Sequence, residues 1–256
     1  MARRALITGA SSGIGEHLAV TMHAEGWDLV LVARRKSRLD ALAAGFESNR
    51  PGSTEVLAAD LLDPAQRDAV VERLSRDDIE VLVNNAGFGP PGALVDHDPE
   101  TLARVVQLNV EVVVRLTQAA LRPMCARKQG HIVQIASLAA FQPGPYFSVY
   151  SATKAFVLSF SEAVHEEVRE QGVQVLTICP GFTRTEFQDS NNAHAPFLPE
   201  ALWSQPSHVT DTILSHLGSG RAVVIPRWHD WISAQITGLL PRAWVRRIAG
   251  RVGGSV

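Results

Sequence analysis

Short runs rich in apolar and β-branched residues, at positions 5–8, 28–33, 55–59, 79–84, 131–136, 173–179 and 221–225, alternate along the chain with longer segments of helical period. The helical segments fall at 14–25, 37–46, 64–74, 99–125, 150–171 and 207–217. Nothing else in the sequence restricts the fold so severely. Several of the strand runs are nearly continuous in apolar residues, as strands covered on both faces must be. Parallel strands joined by helices require right-handed crossovers, so the alternation predicts one α/β domain over residues 1–256, built on a doubly wound parallel sheet of seven strands.

Two segments break the rhythm. Residues 183–206 interrupt the last crossover and are long enough for a lid, with Phe187, Phe197, Leu198 and Trp203 available to cover an apolar substrate or to pack the lid on its own domain. The tail at 228–256 contains an amphipathic helix near 241–252. There Trp244, Ile248 and Val252 recur every fourth residue beside Val245 and Ala249, while Arg242, Arg246, Arg247 and Arg251 supply basic positions. The expectation is that this stripe packs on the chain's own sheet or on a neighbouring subunit. The alternative is peripheral contact with an anionic membrane, to which Trp228, Trp231, Leu239 and Leu240 would add apolar area.

Composition excludes several classes of partner. A net charge of −2, with 20% charged residues, offers no reason to expect nucleic acid. The nine histidines show no HExxH or paired-ligand spacing, and Cys125 and Cys179 lie too far apart for a zinc pair, so no metal site is expected. Two cysteines also make no disulfide framework, which suits a reducing, cytoplasmic setting. Met1 to Arg4 run directly into the first strand, leaving no room for a signal peptide, and no uncharged apolar run is long enough to span a membrane.

Gly9, Gly13 and Gly15 follow the first strand and open the first helix, with Ser11, Ser12 and Ile14 between them. Glycines at such a turn let the backbone approach a pyrophosphate, whose charge is met by free N–H groups at the helix N-terminus. The doubly wound sheet is therefore of Rossmann type, although the spacing GxxxGxG departs from GxGxxG. Beyond the second strand, where a carboxylate would hold the ribose of NAD, stand Arg34 and Arg35. Guanidinium groups pair a 2′-phosphate, so NADP(H) is the expected cofactor; the plain alternative is two surface arginines.

Tyr150 and Lys154 lie four residues apart, hence on one helix face, thirteen residues after Ser137. An ammonium beside a phenol favours the ionised form, which is how a group with a pKa near 10 could serve as acid or base at neutral pH. Together with the glycine loop, Asp60-Leu61, Asn84-Asn85-Ala86-Gly87 and Pro180-Gly181-Phe182-Thr183-Arg184-Thr185, these residues give a chain that resembles the short-chain dehydrogenase/reductase family over its whole length.

The resemblance implies that Asp60 and Leu61 border the adenine and that Asn84, Ala86 and Gly87 lie along the cofactor. It puts Asn84 in support of the central strand, near the cofactor's ribose, and Thr183 and Thr185, after Pro180 and Gly181, at the carboxamide. Ser137 would bind the substrate oxygen, Tyr150 would deliver the proton, and Lys154 would lower the tyrosine pKa and hold the ribose. Asn109 would bend its helix and bind a water linked to the lysine. The implied activity is hydride transfer between NADP(H) and a ketone, aldehyde or secondary alcohol, by a homodimer or homotetramer packed through the Asn109 and Tyr150 helices. Phe141, Pro143, Pro145, Tyr146 and Phe147 would line an apolar or amphipathic substrate. Competing readings are a nucleotide-sensing or scaffold protein that does no chemistry, and an isomerase or dehydratase that returns its cofactor unchanged.

Overall fold

A computed structural model describes residues 3–187 and 200–253. Its strands are β1 (Arg4–Thr8), β2 (Asp28–Ala33), β3 (Thr54–Ala58), β4 (Val81–Asn84), β5 (Gly130–Ile135), β6 (Val173–Ile178) and β7 (Val223–Val224). They form one parallel sheet of seven strands, as the alternation predicts, and its order is β3-β2-β1-β4-β5-β6-β7. The connecting helices are α1 (Gly13–Ala24), α2 (Lys36–Glu47), α3 (Pro64–Leu74), α4 (Pro99–Val106), α5 (Val113–Ala126), α6 (Ser148–Val168) and α7 (Pro206–His216), followed by α8 (Trp228–Leu239) and α9 (Arg242–Gly253).

Strand alternation sorts the core into two layers. In β1, Ile7 joins Leu18, Trp27 and Ile213 on one face, while Leu6 joins Val70, Leu116 and Val164 on the other. Each large side chain so buried contributes about 1.5–3 kcal/mol, and the two layers hold helices on both sides of the sheet. The strand order reverses between β1 and β4, where successive crossovers leave to opposite sides. Such a switch point opens a crevice beyond the carboxyl ends of the strands. The glycine loop after β1 and the Asn85 to Gly89 loop after β4 flank it.

Four expectations are revised. The helix expected over 99–125 is α4, a π-helical segment Gln107–Val112 and α5. An extra residue in one turn does not disturb a 3.6-residue apolar pattern enough to be seen in sequence. The last strand shortens to Val223–Val224, and Trp228–Leu239 forms a helix that the apolar pattern did not announce. Most of the tail's apolar stripe does not pack on the sheet: Val245 is buried, but Trp244 is 59% and Ile248 54% exposed. Residues 188–199 of the expected lid, with Phe197 and Leu198, lie outside the described residues, as do 254–256 of the tail. Of the remaining lid residues, Trp203 packs edge-on against Phe182.

Candidate active site

Helix α1 begins at Gly13 with no side-chain cap from Ser12, so the N–H groups of its first turn point into the crevice. Gly9 has φ +67, and a Cβ there would come within 2.7 Å of Asn85 Nδ2. That amide donates to the Thr8 carbonyl at 2.9 Å, and the Thr8 hydroxyl accepts from the backbone N–H of Asn85 and Ala86. The β4 loop thus braces the glycine turn, and Ala86 and Gly87 border the crevice beside it. Gly13, at φ +59, would carry a Cβ 3.0 Å from the Thr185 side chain. Gly15 sits behind the loop: its missing Cβ makes room for the Gly9 carbonyl.

The crevice is a continuous cleft of about 590 Å³. Ser11, Ser12, Ile14, Arg34, Arg35, Asp60 and Leu61 line one end, and Ser137, Tyr150, Lys154, Pro180, Gly181, Thr183 and Thr185 the other. Arg35 donates to the Ser11 hydroxyl at 3.1 Å and to the Ser11 carbonyl at 3.2 Å. A residue that sequence reasoning missed also reaches it. Glu186 pairs with Arg35 at 2.9 Å and with Arg38, and the hydrogen bonds from Arg38 and Arg35 hold its carboxyl below the usual range. Glu186 is 151 positions from Arg35, and no local pattern could have joined them.

At the other end, Ser137 follows β5 and its hydroxyl neighbours the Tyr150 phenol. Tyr150 lies between Phe147 and Phe187, with ring centroids 4.7 and 5.5 Å away. Lys154, one turn further along α6, is buried and donates to the Ile135 carbonyl at 2.7 Å. A Cβ on Gly89 would meet the Tyr150 ring at 2.5 Å, so the β4 loop also sets the phenol's position.

Burial pushes the Tyr150 phenol up to about 12, opposed by the neighbouring Ser137 hydroxyl. It pushes the Lys154 amine down to about 8, with the neighbouring Cys179 acting the other way. The direction of the tyrosine's shift is therefore set by burial and not by Lys154. The amine is 5.6 Å from the phenol ring centroid, gives one of its donors to a backbone carbonyl, and is itself disfavoured as a cation. Tyr150 consequently keeps its proton at neutral pH.

Two expected site residues stand back from the cleft. Asn84 is buried and donates to Thr117 on α5, which also accepts from Gln134; its neighbour Asn85 takes the place at the cleft wall. Asn109, fully buried in the π segment, accepts from the Phe88 N–H at 3.2 Å and donates to the Phe88 carbonyl at 2.9 Å and the Thr153 hydroxyl at 3.1 Å. It ties the π segment to the β4 loop and to α6.

The family profile for short-chain dehydrogenases matches residues 3–196. The chain belongs to the short-chain dehydrogenase/reductase family. This short-chain dehydrogenase/reductase is an NAD(P)-dependent oxidoreductase. It is similar to a short-chain dehydrogenase from Sphingobium yanoikuyae, solved in complex with NADPH, at 37% identity and a TM-score of 0.84 over 93% of this chain and 94% of that one. It is also similar to the bulky-bulky ketone specific alcohol dehydrogenase from Comamonas testosteroni, at 33% identity and a TM-score of 0.80 over 93% of each chain. Human 17-beta-hydroxysteroid dehydrogenase type 3 is 36% identical over 69% of this chain, which spans 58% of that enzyme's length.

Proposed function

We propose that this enzyme transfers hydride between NADP(H) and an apolar or amphipathic ketone or aldehyde, reversibly as a secondary alcohol dehydrogenase. The observation that carries the proposal is the placement of Ser137, Tyr150 and Lys154 together at one end of a cleft whose other end holds Arg34 and Arg35. NADPH fits the residues present: the uncapped N–H groups at the start of helix α1 would meet a pyrophosphate, and Arg34 and Arg35 line the cleft beyond β2. When bound, the cofactor supplies the hydride.

The chain's own residues do the rest. A carbonyl oxygen seated between Ser137 and Tyr150 accepts both hydroxyls, so developing negative charge is met by donors already in place. Tyr150, neutral at physiological pH, gives its proton to that oxygen. Lys154 would hold the nicotinamide ribose and, while protonated, stabilises the phenolate left behind. Asn109 positions the Phe88 backbone and Thr153, and through them the lysine's helix. Phe147 and Phe187 flank the phenol and favour an apolar substrate, in keeping with the bulky ketones and steroids in the names of two relatives.

Assembly as a homodimer or homotetramer is supported by the exposed faces of α4 and α6. Val106 is exposed on the first, and exposed Phe156 stacks on Phe160 along the second. The unpaired thiols of Cys125 and Cys179 support a reducing, cytoplasmic setting.

The test is a panel of ketones and aldehydes followed at the nicotinamide absorbance with NADPH and with NADH. NADPH should be preferred. In the Arg34→Ala/Arg35→Ala variant, KM for NADPH should rise about tenfold or more, the worth of one or two charge-assisted hydrogen bonds, while NADH changes little. Equal losses for both cofactors would contradict the assignment of these arginines to the 2′-phosphate.

A further inference from the structure

Fifteen large apolar side chains are exposed among the described residues, and seven of them belong to α8 and α9: Trp228, Trp231, Ile232, Ile236, Leu239, Trp244 and Ile248. Along α8 they recur every three or four residues, which gathers them on one side of the helix, while Asp230 and Ala234 face inward. The same stretch carries Arg242, Arg246, Arg247 and Arg251, and from Trp231 to Val256 it contains no aspartate or glutamate. Two helices that expose tryptophans and leucine beside a run of arginines do not suit water.

These helices border the mouth of the cleft. Helix α8 packs beside the 3-10 turn Leu138–Phe141 that follows Ser137, and its Asp230 carboxylate lies directly against Gly181. On α9, Gly250 lies against Pro145, and Arg246, Arg247 and Arg251 share a shallow groove with exposed Leu94 and Tyr146. The apolar surface therefore continues from the tail onto the loops around the substrate end of the site.

We propose that α8 and α9 form a docking surface for an anionic lipid bilayer, through which the enzyme draws apolar carbonyl substrates from the membrane interface. The substrate clause rests on the reductase reading above; the docking does not. Tryptophan and leucine enter the boundary between headgroups and acyl chains, and arginines meet lipid phosphates. Among the described residues no helix is long and apolar enough to cross a membrane, so the contact is with its surface. A second copy of the chain fits less well: a symmetric pairing of this face would bring eight arginines, four from each copy, into one interface, and residues 231–256 contribute no aspartate or glutamate to it.

The experiment is co-sedimentation of the full chain with phosphatidylcholine vesicles, with and without about one third phosphatidylglycerol, at low salt and at about 0.5 M salt, where screening reaches within a few ångströms. Parallel assays use a water-soluble ketone and size-exclusion chromatography. Binding is expected on the anionic vesicles at low salt, with a blue-shifted tryptophan emission. It should fall about tenfold or more on neutral vesicles, at high salt, and in the Arg242→Gln/Arg246→Gln/Arg247→Gln variant. The Trp231→Ser/Trp244→Ser variant should also lose binding while reducing the soluble ketone normally. No binding to anionic vesicles, or binding indifferent to both variants, overturns the proposal. So does an assembly that dissociates in the tryptophan variant without any vesicle binding, which would make the face a subunit interface. Intact turnover without vesicle binding removes the docking and leaves the reductase reading; vesicle binding with no carbonyl reduced removes the chemistry and leaves the docking.

Discussion

An amine walled off from water and hydrogen-bonded to the Ile135 carbonyl is a cation only at a cost, and Lys154 accordingly titrates at about 8, below its ordinary 10.5. A lowered pKa means that the ammonium predominates below about 8 and is lost above it. In the proposed mechanism the cation stabilises the phenolate, so kcat/KM for reduction should fall as pH rises through that value. Tyr150, at about 12, keeps its proton across the range and contributes no limb there. Lys154→Arg should lose the limb although it turns over more slowly, because a guanidinium stays charged; the same limb in the variant would contradict this. Stability is a poorer probe. Between about 8 and 10.5 the unfolded chain binds the Lys154 proton and the folded chain does not, so this group adds stability as pH rises. Cys179 and Tyr150, both raised to about 12 by burial, keep protons the unfolded chain releases, and they remove stability over an overlapping range. At this scale the Tyr150 and Lys154 pair was legible because one helix carries both at a fixed spacing. The exchange of Asn84 for Asn85 was not, because neighbouring residues at a strand end point to opposite faces and the run does not say which is which.

Asn109 gives the π segment its purpose. The wider turn lets its amide reach the Phe88 backbone and Thr153 together, binding three elements through one side chain. Asn109→Ala would leave a buried N–H, a carbonyl and a hydroxyl short of a partner, at about 1–3 kcal/mol for each that water cannot reach. We expect a loss of about 2–4 kcal/mol in chemical denaturation together with a fall in kcat of about tenfold, since Phe88 and Gly87 belong to the loop that places Tyr150. Unchanged stability and turnover would mean that the segment is ornamental. Strands and crossovers were legible at this scale because burial on both faces leaves an unbroken apolar run. Helix α8 was not: its apolar residues face outward, so its pattern answers to no core. Among the described residues, β7 lies at the sheet edge and pairs with β6 alone.

At the scale of the molecule, one sheet reversal gathers both halves of the site: the glycine loop and Arg34 and Arg35 come from the strands on one side of it, Ser137 and the Tyr150 helix from those on the other. Sequence order predicted that gathering, because a doubly wound sheet brings the carboxyl ends of its central strands together. It did not predict the face presented by α8 and α9, since exposure is decided by what the rest of the chain leaves uncovered. The central claim is hydride transfer from NADPH with the proton from Tyr150. It is tested most directly with NADPH deuterated at the transferable position and a bulky apolar ketone, by mass spectrometry of the product. The account predicts an alcohol carrying one deuterium on its carbinol carbon, formed by the wild type and, in Tyr150→Phe, slowed by about a thousandfold or more with cofactor binding retained, the scale of a lost positioned proton donor. Deuterium that stays on the nicotinamide while substrate is consumed, or a Tyr150→Phe variant as fast as the wild type, would contradict it.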